Sequence, residues 1–255
     1  MKVNYINKKI KSIRKKIALL SYSARSAHLG SSLSCVEILT ACMFMKKLNK
    51  NHISEIILSK GHAAMAYYST LNEFGQMSDK YLKNYMKPNS NLWGHVTKSN
   101  NKYFKFSFGS LGYGLGISCG LSLGYTSIKK KHKIYCIISD GEINEGSTWE
   151  ALMFISHHQL NNIKIMIDKN SIQSLERTED VINIKRLNKI FSNFNFDVNE
   201  IDGHNIKALL KLLIKRSKKP SIIICNTIKG KGIKEIENKI TSHYYPATSK
   251  QFENL

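Results

Sequence analysis

The chain has 255 residues, 42% of them hydrophobic, and a formal net charge of +21. Its length suits one large α/β domain or two small ones, its apolar content is ordinary for a soluble globular protein, and no apolar run approaches the ~20 residues of a membrane span. The charge invites a nucleic-acid reading, but apart from Arg14, Arg25, Arg177, Arg186 and Arg216 it is all Lys, in a chain also rich in Asn and Ile; phosphate-bearing ligands or an acidic partner chain would use such a field equally well.

In chain order, residues 7–26 predict an amphipathic helix with Ile10, Ile13, Ile17 and Leu20 on one face. Its apolar core, Ile17-Ala18-Leu19-Leu20, is too short for a secretory signal. Helices are also predicted over 35–48, 62–74, 111–127, 145–159, 184–192 and 205–216. Strands are predicted at 56–58, 134–138, 163–167, 196–201 and 221–225. The later strands are short, continuously apolar and rich in β-branched residues, as strands buried on both faces are. Alternation with helices predicts an α/β fold, a doubly wound and mostly parallel sheet with helices on both faces. The five cysteines, Cys35, Cys42, Cys119, Cys136 and Cys225, form no CxxC pair and sit in apolar stretches. They are expected as buried thiols in a reducing cytoplasm, neither disulfides nor zinc ligands.

Ligands of doubly wound sheets bind beyond the carboxyl ends of the strands. After 134–138 comes Ser139-Asp140-Gly141-Glu142, and after 163–167 comes Asp168-Lys169-Asn170-Ser171-Ile172. A carboxylate and an amide oxygen on neighbouring strand tips, with a backbone carbonyl and diphosphate oxygens, would nearly complete the octahedral shell of Mg²⁺ or Ca²⁺. Asp-Gly alone is more often an ordinary turn; the second polar tip and its flanks distinguish the two.

These flanks, SDGEINEGSTWEALMFISHHQLNNIKIMIDKNSIQS, resemble the thiamine diphosphate motif, and specifically the transketolase family. The resemblance runs from about Ser26 to His243. It implies a diphosphate-binding domain over 1–255 that binds thiamine diphosphate and Mg²⁺ (or Ca²⁺). By resemblance the metal ligands are Asp140, Asn170 and the Ile172 carbonyl. Gly141 gives its N–H to the diphosphate, Glu142 lies with the cofactor-binding residues, and Glu145 sits at a dimer interface, communicating with the neighbouring cofactor. Ser139 stands where the family usually has Gly.

His28, His62, His95 and His243 resemble the family's histidine set in the same chain order. The resemblance implies that His28 and His243 handle protons at substrate hydroxyls, that His62 contacts cofactor and substrate, and that His95 bonds a donor hydroxyl. Ala27 precedes His28 where the family has Gly; Ser242 and Tyr244 flank His243 where it often has Trp and Gly. His204 reads as a structural strand-to-helix connection. Gly109, Ser110 and Leu111 resemble the loop holding the aminopyrimidine side of the cofactor, and Lys229 a lysine near it. The GxGxxG-like spacing after Phe108 follows no clear strand and lacks an acidic ribose partner, which disfavours dinucleotide binding.

The family's pyrimidine-binding domain, with the carboxylate that activates the cofactor, finds no counterpart before Leu255. The resemblance therefore implies a separate partner chain, an α2β2 heterotetramer, and two-carbon ketol transfer between sugars or sugar phosphates. Alternatives on the same scaffold are a 1-deoxyxylulose-5-phosphate synthase-like or 2-oxo acid dehydrogenase E1-like half, or a cofactor-holding half without turnover.

Overall fold

A computed structural model of the chain describes residues 2–49, 51–99, 103–253 and 255. Five strands, β1 (Ile53–Leu58), β2 (His132–Ser139), β3 (Ile163–Lys169), β4 (Asp197–Asp202) and β5 (Ser221–Asn226), form one sheet in the order β1-β2-β3-β5-β4. Every pairing is parallel. The central strands carry Ile134 to Ile138, Ile163 to Ile167 and Ile222 to Cys225, all buried. Such runs are stable only between two helical layers, because both pleat faces must be covered.

The helices are α1 (Lys2–Ala24), α2 (Leu29–Ser34), α3 (Val36–Leu48), α4 (Ala64–Glu73), α5 (Asp79–Leu82), α6 (Gly114–Ser127), α7 (Gly146–His157), α8 (Thr178–Val181), α9 (Leu187–Asn193), α10 (Ile206–Ile214) and α11 (Ser249–Glu253). α1, α3, α4 and α10 pack as one layer, and α6 packs with α7 against β2 in the other. The chain steps in one direction from β1 to β3, jumps to the far edge at β4, then returns to β5. That reversal sends α10 to the α3 side, as a right-handed crossover requires. α1 buries Ile6, Ile10, Ile13, Ile17 and Leu20, the face anticipated from helical spacing.

One expectation needs correction. The apolar pattern over 196–201 predicts a strand buried on both faces like its neighbours, yet β4 is at the sheet edge and its residues are only partly covered. Asp197, Asn199 and Glu200 are accommodated there because the edge faces water. The helix expected from 111 starts at Gly114, and residues 109–113 form a turn ahead of it.

Candidate active site

Strand register brings the polar tips together: Ser139 of β2 sits opposite Asp168 of β3, and Asp168 opposite Cys225 of β5. Beyond the tip of β2, the Asp140 N–H donates to the Asp168 carbonyl at 3.3 Å. Above these tips lies a cleft of about 250 Å³ whose lining includes His28, His62, His95, Asp140, Asn170 and Lys229. Gly109, Leu111, Gly141, Ile172 and His243 border it as well.

Asp140 and Asn170 are each only 5% exposed, and Ile172 is 3% exposed. Asp140 Oδ2 accepts from the Ser171 N–H at 2.6 Å and the Thr178 hydroxyl at 3.3 Å; Oδ1 accepts from the Gly141 N–H at 2.9 Å. Asn170 Oδ1 accepts from the Ile172 N–H at 3.2 Å, and the Ile172 carbonyl accepts from Lys229 Nζ at 2.9 Å. Carbonyl and carboxylate oxygens have further lone pairs, so these bonds orient the three oxygens without exhausting them. Burial, and next the nearby Asp168 charge, push the Asp140 carboxyl up to about 6. A cation would reverse that cost. The donors are all hard oxygens, as Mg²⁺ or Ca²⁺ prefers. Among the described residues no three His, Cys, Asp or Glu side chains could hold an ion unaided, so these donors fit a cation that draws its remaining ligands from a phosphate.

Four imidazoles converge from distant parts of the chain. His28 lies 5.5 Å from His62, 5.2 Å from His95 and 4.9 Å from His243, centroid to centroid. His28 is held in the left-handed region (φ 67°) at the start of α2, and its N–H donates to the His243 carbonyl at 2.7 Å. A non-glycine residue there is a strained choice that surrounding structure must enforce, and such residues cluster at functional sites. Burial lowers all four histidines: His28 to about 4, with His95 the next cause, and His243 to about 3, with Lys229 the next. His62 falls well below the usual imidazole value, through burial and then Lys60, and His95 falls through burial. At neutral pH the cleft therefore presents neutral imidazoles.

Lys229 is 1% exposed, not a solvated loop charge. Its Nζ also donates to the Gln173 carbonyl at 2.9 Å and to His243 Nδ1 at 3.2 Å. An ammonium only donates, so Nδ1 accepts and the proton of neutral His243 is assigned to Nε2.

Glu142 and Glu145 stand apart from the cleft. The Glu142 carboxylate is buried and accepts from the Ser59 hydroxyl, the Gly112 N–H at 2.8 Å and the Ser139 N–H at 3.4 Å. It ties the turn at 109–113 to the tips of β1 and β2. Glu145 is exposed at the start of α7, and Ser110 is exposed in the turn.

Sequence reasoning missed the polar floor. Lys60 and Asp168 form an ion pair with both side chains 0% exposed. Lys60 Nζ also donates to the Ser31 carbonyl at 3.1 Å; Asp168 accepts from Ser34 at 2.6 Å and Thr227 at 2.5 Å. Burial alone would raise the Asp168 carboxyl, but Lys60 and these hydroxyls hold it below the usual range. The only sequence signal was a lysine and an aspartate at the ends of apolar strands.

Comparison with known proteins yields a match over residues 7–254 to the family described as transketolase, thiamine diphosphate binding domain. One of the subunits of the apulose-4-phosphate transketolase of Actinobacillus succinogenes is 36% identical over 94% of this chain and 90% of its own length. The transketolase of Homo sapiens is 31% identical over 91% of this chain, which spans only 38% of that enzyme. Among solved structures, transketolase from Leishmania mexicana superposes with a TM-score of 0.87 at 20% identity, over 98% of this chain and 40% of that one.

Proposed function

The chain belongs to the transketolase family, and from that premise we propose that it is the metal- and diphosphate-binding half of a two-chain, thiamine diphosphate-dependent transketolase. The observation that carries this reading is the meeting, in one cleft, of four histidines with the Asp140–Asn170 pair of strand tips.

Asp140, Asn170 and the Ile172 carbonyl would hold a divalent cation, Mg²⁺ or Ca²⁺, and the Gly141 backbone would face the diphosphate. When bound, thiamine diphosphate supplies the nucleophilic carbon and the electron sink for moving a two-carbon ketol unit. His28 and His243 would handle protons at the donor and acceptor oxygens. The neutral state of His28 suits it to the accepting role, whereas His243 acts as a donor. His243 Nε2–H would donate to a developing oxyanion, with Lys229 fixing the ring from its other nitrogen. His62 would contact cofactor and substrate, and His95 would bond a donor hydroxyl.

The pyrimidine-binding chain is a separate polypeptide in this reading, joined in an α2β2 assembly in the cytoplasm. The Actinobacillus succinogenes relative is itself named as one subunit of its enzyme and is matched over nearly its whole length, which supports a divided enzyme. So do exposed apolar side chains of α6 and α7: Leu123, Met153 and Phe154, with Tyr113 and Ile128 just beyond the two ends of α6, are all more than a third exposed. Exposed apolar residues gathered on adjacent elements mark interaction surfaces. Glu145, at the start of α7, would lie in that interface. The substrates are proposed as a ketose and an aldose, phosphorylated as the name of that relative suggests for its own substrate.

The test is co-purification with the pyrimidine-binding chain, then a two-carbon transfer assay against phosphorylated and unphosphorylated ketoses, with and without thiamine diphosphate and Mg²⁺. Turnover that needs both chains and both additions is expected. Tight cofactor uptake without transfer to any acceptor would refute the catalytic reading.

A further inference from the structure

The turn after β5, which carries Lys229, is held by Arg14, Glu37 and His204, none of which lines the cleft. The Ile228 N–H donates to His204 Nε2 at 2.9 Å, and Arg14 Nε donates to the Lys231 carbonyl at 3.0 Å. Glu37 joins these two grips. Both its carboxylate oxygens accept from Arg14 Nη2 at 2.8 Å, and Oε2 lies 3.1 Å from His204 Nδ1. Burial alone would raise the Glu37 carboxyl, but His204 and Arg14 hold it below the usual range. The three side chains come from α1, α3 and the connection between β4 and α10, so distant parts of the chain converge on one turn.

The backbone around His204 is built for this approach. A Cβ on Gly203 would stand 2.4 Å from Thr227 Cγ2 and 2.9 Å from Cys225 Cβ, so only glycine lets the connection lie this close to the end of β5. The His204 N–H is held in turn by the Asp202 carboxylate at 2.9 Å. A backbone amide can only donate, so Nε2 accepts, and the proton of His204 is assigned to Nδ1, where it faces the Glu37 carboxylate. Gly232, at φ 104°, makes room for the other grip, because a Cβ there would stand 2.8 Å from Arg14 Cδ. Beyond Lys229, the Gly230 N–H donates to the Gly30 carbonyl at 3.0 Å. Lys229 is thus anchored through the backbone residue on each side of it, and its Nζ reaches His243 Nδ1.

We propose that His204 is a positioning residue: its Nε2, braced through Nδ1 by Glu37 and Arg14, fixes the Ile228 N–H and so aims Lys229 at the His243 ring. This rests on the transketolase reading above and extends it to a residue that touches neither cofactor nor substrate. Loss of the Nε2 acceptor strands the Ile228 N–H and frees one of the two anchors that flank Lys229. Lys229 sets the ring that donates to the developing oxyanion, so the loss falls on kcat and not on KM.

The test is steady-state kinetics of the two-chain assembly at saturating thiamine diphosphate and Mg²⁺, for the wild type, His204→Asn, His204→Gln, Lys229→Met and the double variant H204N/K229M, with hydrogen exchange measured across residues 226–233. Asn keeps a donor for Glu37 and lacks the acceptor; Gln places an amide oxygen where Nε2 stands. H204N is expected to lower kcat about tenfold (~1.4 kcal/mol) with KM within about twofold, and H204Q to recover most of that loss. In the K229M background H204N should cost less than about twofold, because the residue it acts through is gone. A kcat of H204N within about twofold of the wild type, H204Q as slow as H204N, or an undiminished loss in the K229M background overturns the proposal and leaves the transketolase reading standing. A wild type without transfer overturns that reading, and hydrogen exchange then decides the role of His204. Faster exchange over 226–233 in H204N than in the wild type and H204Q upholds the grip on the turn; equal exchange in all three overturns it.

Discussion

Removing Lys60 should damage this protein more than removing any exposed lysine. Its ammonium and the Asp168 carboxylate are wholly buried and bonded to each other. Taking away one member leaves an uncompensated charge in a low-dielectric floor, which costs about 3–5 kcal/mol. Lys60→Met should therefore lower the urea midpoint by that equivalent at pH 7, as should Asp168→Ala, which also strands the Ser34 and Thr227 hydroxyls. The double variant should cost less than the two singles together, by about 1–3 kcal/mol, because no lone charge remains. Asp168 bonds α2, the β1 tip and the β5 tip, which lead to His28, His62 and Lys229 respectively. Chain that stays folded should accordingly show weaker cofactor binding. Single variants each costing under about 1 kcal/mol, or a double variant equal to the sum of the singles, would refute the floor as an electrostatic clamp.

Asp140→Asn should abolish Mg²⁺-linked uptake of thiamine diphosphate, measured by calorimetry with and without chelator, while the melting temperature holds or rises because a costly buried carboxyl is gone. Gly30→Ala would put its Cβ into the Ser242 hydroxyl and within 2.7 Å of Ser242 Cβ; the displaced turn carries His243, so activity should fall at least about tenfold, with about 1–3 kcal/mol lost to overpacking. Unaltered kinetics in G30A would show that this contact does not position His243. Stability should fall as pH drops from 6.5 towards 4. His28 and His243, lowered to about 4 and about 3, stay neutral when folded but take protons when unfolded, so the unfolded chain binds more protons and each contributes about 1.4 kcal/mol per pH unit. Asp140, raised to about 6, works in the opposite direction below pH 6 and offsets about one imidazole; urea midpoints that do not fall between pH 6.5 and 5 would contradict the neutral cluster.

The sheet was legible because its central strands announce themselves. A run such as Ile134-Tyr135-Cys136-Ile137-Ile138 has few stable homes except between two helical layers. Once those strands are placed, the polar residues at their carboxyl ends must share one crevice. Asp140 and Asn170, thirty positions apart in the chain, became neighbours on that argument alone. β4 misled because Phe196 to Ile201 mixes apolar and charged residues, and its place at the edge depends on a chain reversal that local pattern does not encode. The histidines needed more than pattern. His28 and His243 are more than two hundred positions apart and meet through a backbone hydrogen bond, so their convergence follows only from the closed fold or from a resemblance.

The residues that sequence reasoning left out share one property: their meaning lies in what they lack or offset. Lys60 and Asp168 would each be an improbable core residue, and each is tolerated only because the other neutralises it. Glu142 follows Gly141, the glycine expected to face a diphosphate, and was expected with the cofactor-binding residues, yet its carboxylate turns inward to hold the turn at 109–113. Adjacency in sequence at a strand tip therefore says little about direction, because successive residues leave a tight turn on different sides.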